Sequence, residues 1–277
     1  MRRYALMCTL MKGFDMQKMT VDDWLAPLKS RGLLPAELLA VYVVGSVARG
    51  WQNARSDFDI YVVSSGAEFQ NSGYTIPVPL DPPFVPTETF YEADKRWEIK
   101  YWLDSQIDQM ITKVSWEAYE AGMVAGTALT LTEELSLARL GNCLPLIDND
   151  WLRKTQERLA GSAFRSFAVV RSLGAADNAV EDALGQMESG DLYSATISAR
   201  LAFGHAIDAL LEGEGEYGSH LPKWRANRFK AAAPSAISFE DYWAIETMQA
   251  YDSADPRAWI TNVLTICQDI AMRVETS

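Results

Sequence analysis

The sequence predicts an α+β protein in two parts, a mixed-sheet domain over residues 1–148 followed by an all-α helical bundle over residues 149–277. Three observations carry this prediction. The β-branched apolar runs at 41–44 and 60–63, and the alternating stretch Trp97-Glu98-Ile99-Lys100-Tyr101-Trp102, all fall in the first half. Beyond it, apolar residues recur at helical spacing in segments bounded by helix caps. Between the two, residues 142–150 interrupt both patterns with Pro145 and the acidic turn Asp148-Asn149-Asp150.

Taken in order, Arg2-Arg3 ahead of the apolar run 4–11 has the outline of a targeting segment, but Lys12 and Asp15 follow without a small-residue cleavage site, and that reading is rejected. Thr20-Val21-Asp22-Asp23 has the form of a capping box, with Asp23 in place of the usual Glu, and predicts a helix to about Ser30. Residues 35–40 lead through a short helical turn into a first strand at 41–44, which breaks at Gly45-Ser46 into a helix start. A second strand spans 56–63. Residues 64–86 carry Pro77, Pro79, Pro82, Pro83 and Pro86 and read as an excursion over one sheet edge, with a short edge strand at 74–78. A lid is the functional alternative. Residues 87–91 and 96–103 form a hairpin turning at Asp94-Lys95. A helix follows over 105–121 with Asp104 as its cap, and a shorter one opens at Thr132 and ends before Gly141.

The second half reads as helices throughout. One runs over 151–173, a second from Asp177 to Gly190, and a third from an Asp191 cap to about Leu211. Gly213, Gly215 and Gly218 space a mobile acidic loop. A short basic helix covers 223–232, Ser238 caps another to Tyr251, and Asp255-Pro256 starts the last, with Pro at the first helical position.

Composition narrows the partners. With 25 basic against 37 acidic side chains, net −12, the chain is poorly suited to gripping nucleic acid through its phosphates and better suited to a small or cationic partner. Cys8, Cys143 and Cys267 are odd in number, scattered and without metal spacing, so reduced thiols in a cytoplasm are expected. No apolar run is long enough to span a membrane. The chain is expected to be a monomer or dimer.

The chemistry concentrates between residues 41 and 63. A helix start after a buried strand presents backbone N–H groups to an anion, and glycine lets a phosphate approach closely. On the next strand Asp57 and Asp59 share a face, roughly 6–7 Å apart at their backbones, while Phe58 and Ile60 turn to the core. Paired carboxylates beside a phosphate site call for a divalent cation, and magnesium suits all-oxygen ligation. Glu98 also needs a reason, because strands disfavour Glu and an unpartnered buried carboxylate is costly. Either its face is wet and Glu98 pairs with Lys100 or Lys95, or Glu98 is a functional acid.

The pattern G-S-x-A-R-G-x5-S-D-x-D, over residues 45–59, resembles the signature of the nucleotidyltransferase superfamily related to DNA polymerase β. The resemblance implies that Gly45 and Ser46, with Arg49 and Ser56 of the same pattern, hold a triphosphate, and that Asp57 and Asp59 bind magnesium, two ions in all. Glu98 would then be the third carboxylate, taking the acceptor proton, with Asp104 as its rival. Further on, S-A-R-L-A-F-G-H, L-P-K-W-R-A-N-R-F and Q-A-Y resemble the helical domain of the aminoglycoside 3''-adenylyltransferases, in which ATP sits between the domains. The matching nucleotide contacts here are Arg200, Lys223 and Tyr251. The alternatives are a surface ion pair for Arg200, a solvated charge for Lys223 and core packing for Tyr251. Lys223, Arg225, Arg228 and Lys230 form the densest basic cluster of the chain, as a triphosphate would want. Residues 186–191 lack the tryptophan by which that family reads its drug, leaving Glu188 and Asp191 as candidates for a cationic acceptor.

The activity so implied is magnesium-dependent transfer of AMP from ATP to a hydroxyl of a small molecule, such as an aminoglycoside-like antibiotic, with release of pyrophosphate. The alternatives are modification of a protein or natural-product intermediate, or a toxin–antitoxin regulatory component. Arg200-x4-His205 also has the form of the ribonuclease motif of HEPN domains, although five residues turn a helix by about 140° and separate the two side chains. His205 is otherwise a bundle histidine, and His220 a solvated one.

Overall fold

The structure, a computed structural model, describes residues 19–66, 73–148 and 150–274. The expectations for Arg2-Arg3, the run 4–11 and Cys8 lie outside them. By packing, the chain divides into two compact units: Met1–Ile76, Val85–Asp104 and Cys143–Trp151 form one, and Pro77–Phe84, Ser105–Asn142 and Leu152–Ser277 the other. The expected division after residue 148 would leave residues 105–142 with the sheet; by packing they group with the helices.

In the first unit, the Thr20 capping box closes as expected, with Thr20 Oγ1 accepting from the Asp23 amide and the Asp23 carboxylate accepting from the Thr20 amide at 2.8 Å. It starts α1 (Val21–Ser30), whose Trp24, Leu25 and Leu28 are buried. A turn, not a helical one, then leads into β1 (Leu38–Val44), followed by α2 (Gly45–Ala48) and β2 (Phe58–Ser64). Asp57 therefore lies just ahead of its strand. The excursion carries an edge strand, β3 (Tyr74–Pro77), and then β4 (Phe84–Glu92), β5 (Lys95–Leu103) and, much later, β6 (Leu144–Asp148). The order across the sheet is β3-β4-β5-β2-β1-β6. β2 and β5 run parallel, and β1 is antiparallel to both β2 and β6.

Three expectations change here. β4 begins within the proline-rich stretch, and its ladder to β5 starts at Thr87, just past Pro86, which has no N–H to give. The hairpin turns at Ala93-Asp94, both at positive φ (49° and 60°), with Glu92 opposite Lys95; that is the backbone a two-residue hairpin needs. The stretch taken for a boundary is β6, which returns to pair with β1 despite Pro145 because it forms the sheet edge. Val41, Val43, Phe58, Ile60, Val62, Trp97, Ile99 and Tyr101 bury against α1 in one core. Each large side chain there contributes about 1.5–3 kcal/mol.

In the second unit, the expected helix 105–121 is two: α3 (Asp104–Lys113) and α4 (Trp116–Glu120), the second capped by Ser115. Asp104 is not a cap; its carboxylate accepts from Trp151 Nε1 at 2.5 Å. A short α5 (Ala125–Ala128) precedes α6 (Leu131–Leu140), which is capped by Thr130 and not opened at Thr132. α7 (Trp151–Ala160) stops at Gly161, and α8 (Phe164–Ser189) runs unbroken through 173–177, because nothing in Leu173-Gly174-Ala175-Ala176-Asp177 forbids a helix and the segment lies along α9 (Leu192–Gly213). Gly190 ends α8 at φ 85° and Asp191 caps α9, as predicted. The acidic loop is anchored: Tyr217 packs on Phe164 at 4.8 Å, and the Glu216 carbonyl accepts from Arg228 at 3.1 Å. A 3-10 turn at Pro222–Trp224 leads to α10 (Arg225–Ala232). Then come α11 (Phe239–Glu246), which stops short of Tyr251, and α12 (Pro256–Ala271). Among the described residues no helix is long and apolar enough to cross a membrane. Cys143 and Cys267 are in no disulfide among the described residues, and burial pushes each thiol up to about 12.

Candidate active site

Alternation along β2 and β5 builds the site. With Phe58, Ile60, Trp97 and Ile99 committed to the core beside α1, Asp59 and Glu98 are turned to the opposite face. Because β2 and β5 are parallel and in register, Asp59 stands directly beside Glu98. Phe58 pairs with Trp97, so one step before it Asp57 comes beside Arg96. The result is a two-by-two patch of three carboxylates and one arginine. Arg96 Nη1 lies 3.0 Å from Asp57 Oδ2 and Nη2 lies 3.0 Å from Glu98 Oε2. Lys100 Nζ reaches Glu98 Oε1 at 3.1 Å. Desolvation opposes the Arg96 charge, but the bond to Asp57 and the fields of Glu98 and Asp57 outweigh it and raise the guanidinium above its ordinary value.

Gly45 closes the patch from β1. Its φ is 73°, and a Cβ there would fall 2.7 Å from Asp59 Oδ2. Glycine is thus required twice, by a left-handed backbone and by the carboxylate against it. α2, which it starts, has only four residues, so the expected anion site loses most of its dipole argument and rests on the backbone N–H groups of the turn. The loop that returns the chain to β2 is held by its own bonds. Ser56 Oγ accepts from the Asn53 amide at 2.9 Å, Lys95 Nζ donates to the Ala54 carbonyl at 2.6 Å, and the Arg49 guanidinium stacks on Trp51 at 3.9 Å. The Ser46 carbonyl accepts from the Trp51 amide at 2.8 Å.

The donor set suits a hard divalent cation: three carboxylates on one face, already drawing two cationic side chains, with the Cβ that would crowd Asp59 absent. Among the described residues no three acidic, histidine or cysteine side chains converge closely enough to hold a metal as they stand. Arg96 stands between two of the three acids. Sequence reasoning missed it, although the alternation that puts Glu98 on this face puts Arg96 there too.

The expected helical-unit residues take separate places. Arg200, half exposed on α9, lies 3.7 Å from Glu246, and Arg225 lies 3.6 Å from the same carboxylate. Lys223 sits 5.6 Å over the Trp224 ring, and Tyr251 packs edge-on against Trp259 at 5.7 Å. The basic cluster is corrected: Arg225 and Arg228 are both spent on buried Asp208, Arg225 through Nε at 3.1 Å and Nη2 at 2.8 Å. Asp191 is a helix cap, bonded to the Ser194 amide. His205 is half buried and desolvation lowers its pKa, whereas Arg200 faces Glu246. His220 is not simply solvated; its Nε2 lies 3.2 Å from Glu134 Oε2.

Residues 28–121 match the family model described as Nucleotidyltransferase domain, a span that holds Gly45, Asp57, Asp59, Arg96 and Glu98. No curated protein matches the chain. Among solved structures it is similar to a nucleotidyltransferase-like protein from Exiguobacterium sibiricum 255-15. The identity is 10% and the TM-score 0.50, over 91% of this chain and 75% of the other. At that identity the likeness concerns the fold.

Proposed function

We propose, from a chain that carries a nucleotidyltransferase domain, that this protein transfers a nucleoside monophosphate, AMP from ATP, to a hydroxyl of a small molecule and releases pyrophosphate. The observation that supports this is the alignment of Asp57, Asp59 and Glu98 on one face beside Gly45. Asp57, Asp59 and Glu98 would hold magnesium, which supplies charge neutralisation across the triphosphate. Gly45 and Ser46 offer backbone N–H groups to the phosphates, with Arg49 and Ser56 holding the loop behind them. Glu98, more enclosed than Asp57, takes the proton of the acceptor hydroxyl. The acceptor oxygen bonds to the α-phosphorus as the bond to the pyrophosphate oxygen breaks, and pyrophosphate leaves with that electron pair. Arg200, Lys223 and Tyr251 are the candidate nucleotide contacts that this reading takes from the helical unit. The net charge of −12 favours a cationic acceptor.

The test is a pyrophosphate-release assay with magnesium and each nucleoside triphosphate over a panel of hydroxylated acceptors. ATP-dependent release that rises with one class of small alcohol is expected. Release that rises only with a protein acceptor supports the protein-modifying alternative, and release with no acceptor dependence overturns the small-molecule reading.

A further inference from the structure

Glu98 is held on two sides by cations and has an unbonded hydroxyl on a third. Lys100 Nζ lies 3.1 Å from Oε1 and Arg96 Nη2 lies 3.0 Å from Oε2, so each carboxylate oxygen has a cation of its own. The hydroxyl belongs to Thr89 on β4, the register partner of Glu98 across the antiparallel ladder of β4 and β5. Phe90, the next residue, stacks on Trp97 at 5.5 Å in the core, so Thr89 is turned to the opposite face. Asp59, Glu98 and Thr89 thus form one row across β2, β5 and β4. Thr89 Oγ1 is shut off from solvent and has no hydrogen-bond partner among the described residues.

An enclosed hydroxyl left unbonded is destabilising, and valine would fill the same space in a strand without that penalty. The two cations on Glu98 are not equivalent. Lys100 is the more enclosed (17% exposed against 36% for Arg96) and pairs with Glu98 alone among the described residues. Arg96 divides its charge between Glu98 and Asp57. Whatever draws Arg96 off therefore strips Oε2 of its donor and leaves Oε1 anchored. Directly opposite residues of an antiparallel pair have Cβ atoms about 4.5–5.5 Å apart, a separation across which a threonine hydroxyl reaches a glutamate oxygen. With about four lone-pair positions, a carboxylate that accepts such a bond still has room for an incoming proton.

We propose that Thr89 is a positioning residue for Glu98: its hydroxyl takes Oε2 when Arg96 leaves, while Lys100 keeps Oε1, so the carboxylate holds one orientation with Arg96 present or withdrawn. This deepens the proposed function and rests on it in one respect, that a divalent cation on Asp57 and Glu98 is what displaces Arg96. The exchange of donors itself requires neither metal nor nucleotide.

A double-mutant cycle on the full-length, chelator-treated protein tests it, with thermal melts of the wild type, Thr89→Val, Arg96→Ala and the double variant. In the wild-type background Thr89→Val removes an unbonded hydroxyl and is expected to leave the melting temperature unchanged or raise it. In the Arg96→Ala background the same change removes the bond to Oε2 and is expected to lower the melting temperature by about 2–4 °C. Strand propensity cancels between the two backgrounds, and Thr89→Ser, which keeps the hydroxyl, should show no such difference between them. Proton relaxation in a Mn²⁺ titration should give several-fold weaker binding to Thr89→Val and near wild-type binding to Thr89→Ser. An equal effect of Thr89→Val in both backgrounds, the same difference for both Thr89 variants, or unchanged Mn²⁺ affinity in Thr89→Val would each overturn the proposal. A wild type that neither binds Mn²⁺ nor releases pyrophosphate sinks the proposed function, and the cycle alone then decides the role of Thr89.

Discussion

Asp59 on β2 and Glu98 on β5 are register partners across two parallel strands, brought together from 39 residues apart in sequence by a pairing that no local signal specifies. Acid chemistry at this site depends on that register: a slip of one residue in either strand would turn that strand's carboxylate into the core and part the two acids. Glu98→Gln is therefore expected to retain nucleotide binding and lose about 10²–10⁴ in transfer rate, the usual cost of a missing general base. Asp104→Asn should be nearly silent in catalysis, since Asp104 bonds to Trp151. Single-turnover rates decide, and an active Glu98→Gln beside an inactive Asp104→Asn would mean the wrong third acid.

Gly45→Ala should act on catalysis through Asp59. The new Cβ meets a carboxylate oxygen at 2.7 Å, and an L-residue at φ 73° adds about 1–2 kcal/mol of strain. A modest drop in melting temperature with a large loss of transfer is expected. Gly50→Ala, with positive φ but open space, serves as the control that carries strain alone.

Arg96→Gln is expected to bind Mn²⁺ several-fold more tightly than the wild type, because a guanidinium now competes with the ion for Asp57 and Glu98. The fold should hold, since partly exposed pairs of this kind contribute only about 0–1 kcal/mol. Proton relaxation in a Mn²⁺ titration gives the affinity. Weaker binding would instead assign Arg96 to positioning the two acids.

Arg200→Ala and Lys223→Ala should weaken binding of a non-hydrolysable ATP analogue without unfolding the protein, as neither is buried in an ion pair. Arg228→Ala should destabilise by roughly 3–5 kcal/mol, because it leaves Asp208 buried with half its compensation. Calorimetry and thermal melts separate the two classes; unchanged nucleotide affinity in both of the first pair removes them from the nucleotide site.

Stability should fall as pH rises between about 4.5 and 7. Burial pushes Glu212 up to about 7 against Arg171, Ser172 and Ser219, so the folded state holds a proton that the unfolded chain has released. The cost is absent below 4.5, where both states are protonated, and complete above 7, where both are ionised. It is on the order of 3 kcal/mol. Glu134, whose pKa is lowered, contributes in the opposite sense and only below its ordinary range. Melting curves of Glu212→Gln across this window should be flatter than those of the wild type.

Much was written locally. Thr20-x-x-Asp23, Ser238, Asp191 and Asp255-Pro256 begin helices where the sequence says they do, because a cap needs only its own next three residues. Gly45-Ser46 and Asp57-x-Asp59 mark a candidate site for the same reason: turn and alternation are properties of a few consecutive residues. What failed was longer in range. Residues 142–150 looked like a boundary, and within them Leu144–Asp148 is an edge strand, since pairing to β1 is decided by a partner a hundred residues away. Leu173 to Asp177 looked like a break and is mid-helix, since α9 lies along it. Arg225 and Arg228 read as part of a dense basic cluster and are consumed by Asp208, a carboxylate whose burial the sequence does not announce. The sequence by itself determined the chemical alphabet of the candidate site, Gly45, Asp57, Asp59 and Glu98, through local backbone demands and strand periodicity. Tertiary structure alone decided that Asp59 faces Glu98, that Arg96 stands between two of the acids, and that Thr89 stands beside Glu98, because register and burial arise only when distant segments desolvate each other.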